Sequence, residues 1–236
     1  MKNLLLTCCL MLFCGMAIAQ VSATEKQALI DLYNATQGDH WNTKWNLKKD
    51  VATWHGVTVA DDHVTGISLL FNNLEGTLPA SIGALTHLRV LELSFNKLSG
   101  TLPESLGNLR KLETLAFNGN MLGGTIPSSL GKLGNLKNLH LSSNSFTGTV
   151  PTELGKLKKL EVFNVFDNQL TGSLPVAIAK NIKLKELIVA ENKFENTETI
   201  SIILLSTSGT GLDLSVPNVT NTSQPIIATE TSNDNE

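Results

Sequence analysis

The chain has 236 residues, 42% of them hydrophobic and 17% charged, with a net charge of −3 and aromatics at only 5%. This is enough apolar material for one sizeable core, and it offers no basic face of the kind a nucleic-acid partner requires. All three cysteines (Cys8, Cys9 and Cys14) lie near the N-terminus, so thiolate zinc sites, cysteine nucleophiles and disulfides are not expected in the rest of the chain.

Residues 1–19 read as a secretory signal peptide. Lys2 supplies the positive start, Leu4 to Ala19 is mostly apolar, and Ala17-Ile18-Ala19 before Gln20 is a small-x-small cleavage signature. An uncleaved anchor would need an apolar run of about 20 residues, and Phe13 is too bulky for the position before a lipoprotein cysteine at Cys14. The expected location is periplasmic or extracellular. The later run Ile200 to Leu205 is too short to span a membrane.

Residues 20–63 read as an N-terminal cap. Ser22 or Thr24 can start a helix, Thr24-x-x-Gln27 has the form of a capping box, and Ala28, Leu29, Leu32 and Tyr33 give the helix an apolar side. Trp41, Trp45 and Trp54 follow closely. They could form a sugar-binding platform; the favoured reading is a lid over the open end of a core.

From residue 64 to 199 the chain repeats itself. Leu74, Leu98, Leu122, Phe146, Leu170 and Phe194 recur every 24 residues. So do Asn72, Asn96, Asn120, Asn144, Asn168 and Asn192, and the glycines and prolines of each Gly-x-x-Pro turn keep the same step. A fixed short period is the signature of a solenoid. In Leu91-Glu92-Leu93, alternation puts the leucines on the core side of a short strand and Glu92 outside. One coil cannot bury its leucines alone, whereas stacked coils share a continuous core. Each asparagine sits where the strand turns, and its amide is expected to bond backbone groups of its own and the next coil.

LRVLELSFNKLSGTLPESLGNLRK and LETLAFNGNMLGGTIPSSLGKLGN resemble the 24-residue, plant-type leucine-rich repeat, LxxLxLxxNxLxGxIPxxLGxLxx. The resemblance covers roughly Val64 to Phe194. It implies an α/β solenoid, a curved right-handed superhelix whose parallel strands line the concave face, and a second short strand in each coil. The stretch ALIDLYNATQGDHW…ATWHGVTV resembles the family's N-terminal cap, in which cysteines usually flank the Trp-x-Gly-Val segment; here Ala52 and Val59 stand in their places. Residues 200–217 read as a degenerate last repeat with a strand at Leu212-Asp213-Leu214-Ser215. Residues 218–236, rich in Thr, Asn and Ser, read as a disordered tail.

Catalysis is not expected. The repeated glycines lack the Lys-Ser/Thr of a phosphate loop. No serine sits in a nucleophile elbow, and the five histidines (His40, His55, His63, His87 and His140) show no i, i+4 pairing, so neither a cofactor nor a metal centre is expected. Function must then lie on a surface. The concave columns vary while the framework does not, and they carry the candidate contact residues Phe71, Glu92, Phe95, Asn118, His140, Asn164, Phe166 and Asp167. A protein is the expected partner, with a cell-envelope polysaccharide as the alternative. A second surface, the column Thr77, Thr101, Thr125, Thr149 and Ser173, could form a hydroxyl ladder of the ice-binding kind, although β-branched residues suit a short strand in any case.

Overall fold

The computed structural model describes residues 21–195 and 226–228. Helix α1 (Ala23–Ala35) is capped by Ser22: the Glu25 amide donates to Ser22 Oγ at 3.2 Å, and the Ser22 hydroxyl donates to Glu25 Oε2 at 3.1 Å. The capping pair is therefore Ser22 and Glu25, not Thr24 and Gln27. The helix starts two residues earlier than a Thr24 cap allows, and the Gln27 amide is drawn to Asp31 Oδ1 instead, at 2.8 Å. Ala28, Leu29, Leu32 and Tyr33 are buried as the pattern requires.

Behind α1 the three tryptophans form a chain of rings. Tyr33 meets Trp41 edge-on at 5.0 Å, Trp41 meets Trp45 at 4.9 Å, and Trp45 stacks on Trp54 at 4.8 Å. Each indole N–H donates to a backbone carbonyl: Trp41 to Thr36, Trp45 to His55 and Trp54 to Lys49. All three rings are buried. No ring face is left for a sugar, so the platform reading fails and the rings belong to the core. Ala52, in a position where the related caps carry a cysteine, is exposed, while Val59 is half-buried against the core.

The first sheet begins with an antiparallel hairpin, β1 (Val57–Ala60) and β2 (His63–Ser68), and then runs parallel through one short strand per coil. Those strands are β4 (Val90–Glu92), β6 (Thr114–Ala116), β8 (Asn138–His140), β10 (Val162–Asn164) and β12 (Glu186–Ile188). A second parallel sheet takes the intervening segments: β3 (Glu75–Thr77), β5 (Lys97–Gly100), β7 (Met121–Gly124), β9 (Ser145–Gly148), β11 (Gln169–Gly172) and β13 (Lys193–Phe194). A turn of 3₁₀ helix closes most coils, as at Glu104–Asn108, and the short helix α2 (Val176–Ala179) takes its place in one. From β2 to β12 the register is a strict 24 residues, Leu91 beside Leu115 and Leu115 beside Leu139. In the second sheet the step shortens to 22, as in Leu98 beside Gly76.

Three devices hold coil on coil. Inside is the leucine core: Leu88, Leu91, Leu93, Leu98, Leu106 and Leu109 of one repeat are all fully buried, each contributing about 1.5–3 kcal/mol. At the strand turn, Asn96 Nδ2 donates to Leu93 O and Ser94 O in its own coil and to Leu69 O at 2.8 Å, while its Oδ1 accepts from the Asn72 and Leu74 amides. The asparagine thus reaches back to the preceding coil rather than forward to the next. At the closing turn, Gly107 lets the coils touch, because a Cβ there would lie 2.6 Å from Ser129 O.

An alternating charge ladder runs outside: Arg89 bonds Glu113 at 3.0 Å, Lys137 bonds Glu113 at 2.6 Å, and Lys185 bonds Glu161 at 2.6 Å. Exposed pairs of this kind contribute only about 0.2–1 kcal/mol each, so the core dominates.

The tail expectation fails at one point. Ile226–Ala228 forms β14, which adds to the first sheet in parallel beside β12, Leu187 opposite Ile227. The signal lies in Ile226-Ile227, a β-branched pair hidden among polar residues. The strand expected at Leu212 to Ser215 lies outside the described residues.

Candidate partner-binding face

In each coil of the first sheet the central residue points into the core and its two neighbours point outward. Leu91 is fully buried, while Val90 and Glu92 are half-buried on the open face. The outward columns therefore include Val90, Thr114, Asn138, Val162 and Glu186, which the sequence reading did not single out although the same 24-residue step defines them; at the first position of this column Gly66 is buried, with Thr58 of β1 lying over it. In this column Asn138 Nδ2 donates to Thr114 Oγ1 at 3.2 Å.

The column containing Glu92 is partly occupied by its own contacts. Ser68 Oγ donates to Glu92 Oε2 at 2.9 Å, and Ala116 is buried. His140 sits between its strand neighbours with its pKa lowered, burial being the main cause, while the carboxylates of Glu186 and Glu92 oppose it. Burial thus favours the neutral ring, which can both donate and accept.

Two candidates turn out to brace the backbone. Asn118 Oδ1 accepts from the Ser142 amide of the next coil at 3.0 Å, and its own amide donates to the buried Ser94 hydroxyl. Asn164 Oδ1 accepts from the Phe166 amide at 3.0 Å. Their positions on the face are as expected, but each carbonyl oxygen already serves a neighbouring amide.

The remaining candidates form the edge of the face. Phe71, Phe95, Gly119, Ser143, Asp167 and Glu191 share one position, and every one has a left-handed backbone, with φ between 50° and 62°. Glycine and asparagine suit this region, and acids and serine tolerate it; a bulky aromatic there is a genuine outlier. Yet Phe71 is 65% exposed and Phe95 47% exposed, and the two rings stack face to face at 4.5 Å and 3°. Gly119 makes room for this stack, since a Cβ on it would lie 2.7 Å from Phe95 Cδ1. Leu70 and Phe166, both over a third exposed, extend the apolar edge, and Asp167 lies exposed beside Phe166. The structure thus brings Phe71 and Phe95 into one patch, with Phe166 and Asp167 further along the same edge.

The threonine column is also exposed, from Thr77 through Thr101, Thr125 and Thr149 to Ser173. Each threonine methyl abuts the glycine of the following coil: a Cβ on Gly100 would lie 3.0 Å from Thr77 Cγ2, and one on Gly124 would lie 2.7 Å from Thr101 Cγ2. The histidines depart from expectation, because His63 and His87 stack on each other beside Glu25.

The chain belongs to the leucine-rich repeat proteins: the family described as "Leucine-rich repeat region" matches residues 69–207. No curated protein matches the sequence. Among solved structures, the chain is similar to that of PEPR1-AtPEP1, with 32% identity, a TM-score of 0.65 and 72% of this chain covered. It is also similar to the Arabidopsis receptor kinase HAESA, solved in complex with the peptide hormone IDA and the co-receptor SERK1, with 27% identity, a TM-score of 0.65 and 74% covered. A plant ice-binding protein shares the fold at 23% identity, with a TM-score of 0.68 and 74% covered. The chain spans 25%, 30% and 58% of those three chains respectively. Among the described residues no helix is long and apolar enough to cross a membrane.

Proposed function

We propose that this protein is a secreted, non-catalytic binding module that recognises a protein or peptide partner through the open face of its first sheet. The observation that carries this reading is the Phe71–Phe95 stack. Two phenylalanines hold a left-handed backbone that costs folding energy, and they leave their rings in water where they gain little. Aromatic anchors of this kind concentrate binding energy in protein interfaces. Phe166 and Asp167 further along the edge, with Glu92 and His140 inside it, supply apolar and polar contacts for an extended partner. The HAESA complex with a peptide hormone supports the class of partner. Secretion rests on the signal-peptide pattern of residues 1–19, and the absence of catalysis rests on the lack of any catalytic motif in the repeats.

The test is affinity capture with the purified chain from culture, envelope and host extracts, in parallel with the Phe95→Ala variant. A partner held by the wild type and lost by the variant supports the reading; a partner held equally by both refutes it. The ice-binding alternative has one observation in its favour, the exposed threonine column. Its methyl groups, however, are directed at the next coil, which leaves mainly hydroxyls outside.

A further inference from the structure

The cap and the first two coils meet at a group of three side chains that no repeat function requires. His63 opens β2 and His87 stands 24 residues later, so the solenoid stacks one directly on the other. Their rings lie 3.5 Å apart and 6° from parallel. Helix α1 delivers Glu25 against them: Glu25 Oε2 is 3.3 Å from His63 Nδ1, and one ligand atom from each of the three residues lies within 4.8 Å of the others. Glu25 is 4% exposed and, although Oε2 is engaged by Ser22 and His63, its Oε1 is buried without any hydrogen-bond partner. A buried carboxylate oxygen with no donor is costly and asks for a cation.

The geometry points to a metal site in which Glu25, His63 and His87 bind a zinc-class divalent ion and tie the N-terminal cap to the first two coils. Two imidazoles and one carboxylate are a donor set for zinc and its transition-metal neighbours, not for calcium or magnesium, which prefer oxygen alone. Three protein ligands leave a fourth position for water. Zinc–nitrogen bonds of about 2.0–2.1 Å and tetrahedral angles require the two rings to splay out of their parallel stack. His63, whose side chain is 38% exposed, has the freedom to turn.

The experiment uses the full chain without an affinity tag, with Cys8, Cys9 and Cys14 changed to serine in every sample so that no thiol competes. Titration calorimetry with zinc chloride should show one saturable equivalent. Thermal unfolding should shift upward by roughly 5–10 °C at about a hundredfold excess of zinc over Kd. Calcium and magnesium chloride should produce neither effect. His63→Gln, His87→Gln and Glu25→Gln should each weaken zinc binding at least tenfold while remaining folded by circular dichroism, and His55→Gln should bind as the parent does. If Glu25→Gln fails to fold, the two histidine variants decide the matter. An absence of saturable zinc binding in the parent, or equal binding in His63→Gln and His87→Gln, overturns the site.

Discussion

Asn120 Oδ1 accepts the backbone amide of Leu98, twenty-two residues earlier, at 3.0 Å, and its Nδ2 donates to Leu93 O in that same preceding coil. Two further bonds go to Phe117 O and Asn118 O in its own coil. The side chain therefore completes the backbone of two coils at once. Asn120→Ala strands these groups and should destabilise the protein by roughly 1–3 kcal/mol. Chemical denaturation of the variant against wild type measures it, and equal midpoints with equal slopes would show that the ladder is not structural.

The closing turns give a matched pair of glycines. A methyl group on Gly107 would sit 2.6 Å from Ser129 O, whereas one on Gly134 meets nothing within 4 Å. Gly107→Ala should cost about 1–3 kcal/mol by forcing two coils apart. Gly134→Ala should be neutral, or stabilising by up to about 1 kcal/mol, through the less flexible unfolded chain. Thermal melts of the two variants separate the outcomes, and similar losses in both would refute the close-packing argument.

The charge ladder predicts a pH dependence. Glu113 has its pKa lowered from the ordinary 4.5, chiefly by the Lys137 hydrogen bond and then by the Arg89 bond. A carboxylate depressed in the folded state contributes stability above its unfolded pKa and loses it as pH falls through the folded value. The stability gap between wild type and Glu113→Gln should therefore be constant above about pH 5 and close at lower pH. It should also shrink in high salt. Denaturation midpoints across pH 2–7 check this at about 0.2–1 kcal/mol per pair, and a gap that widens on acidification would contradict it.

The repeat made most of this fold legible, because leucine, asparagine, glycine and proline each keep a position fixed by one physical demand. Leu91 had to be buried, and it is. The same step also contained the His63–His87 stack and the Arg89–Glu113–Lys137 ladder, which become visible when residues are read down the columns at a spacing of 24 rather than along helices at i, i+4. Other features had no sequence signal. Glu25 belongs to the cap helix, outside the repeat register, so only the fold brings it to His63. The asparagine amides point back rather than forward because of the sense in which the coils stack, which composition does not encode. The left-handed backbone of Phe71 and Phe95 was masked by the aromatic side chains, since the same position carries the more ordinary Gly119 and Asp167 elsewhere.

The central claim is that the exposed edge aromatics bind rather than build. Once a partner is in hand, the direct measurement is its Kd for wild type, Phe95→Ala, Phe166→Ala and the framework variant Phe146→Ala, with a melting temperature for each. Phe95 and Phe166 are exposed, while Phe146 is fully buried. The account predicts that Phe95→Ala and Phe166→Ala each raise Kd at least tenfold, equivalent to about 1.4 kcal/mol or more, at an unchanged melting temperature. Phe146→Ala should instead lose about 3–5 kcal/mol of stability. Unchanged affinity in both edge variants, or a melting temperature that falls with them as it does for Phe146→Ala, would contradict the claim.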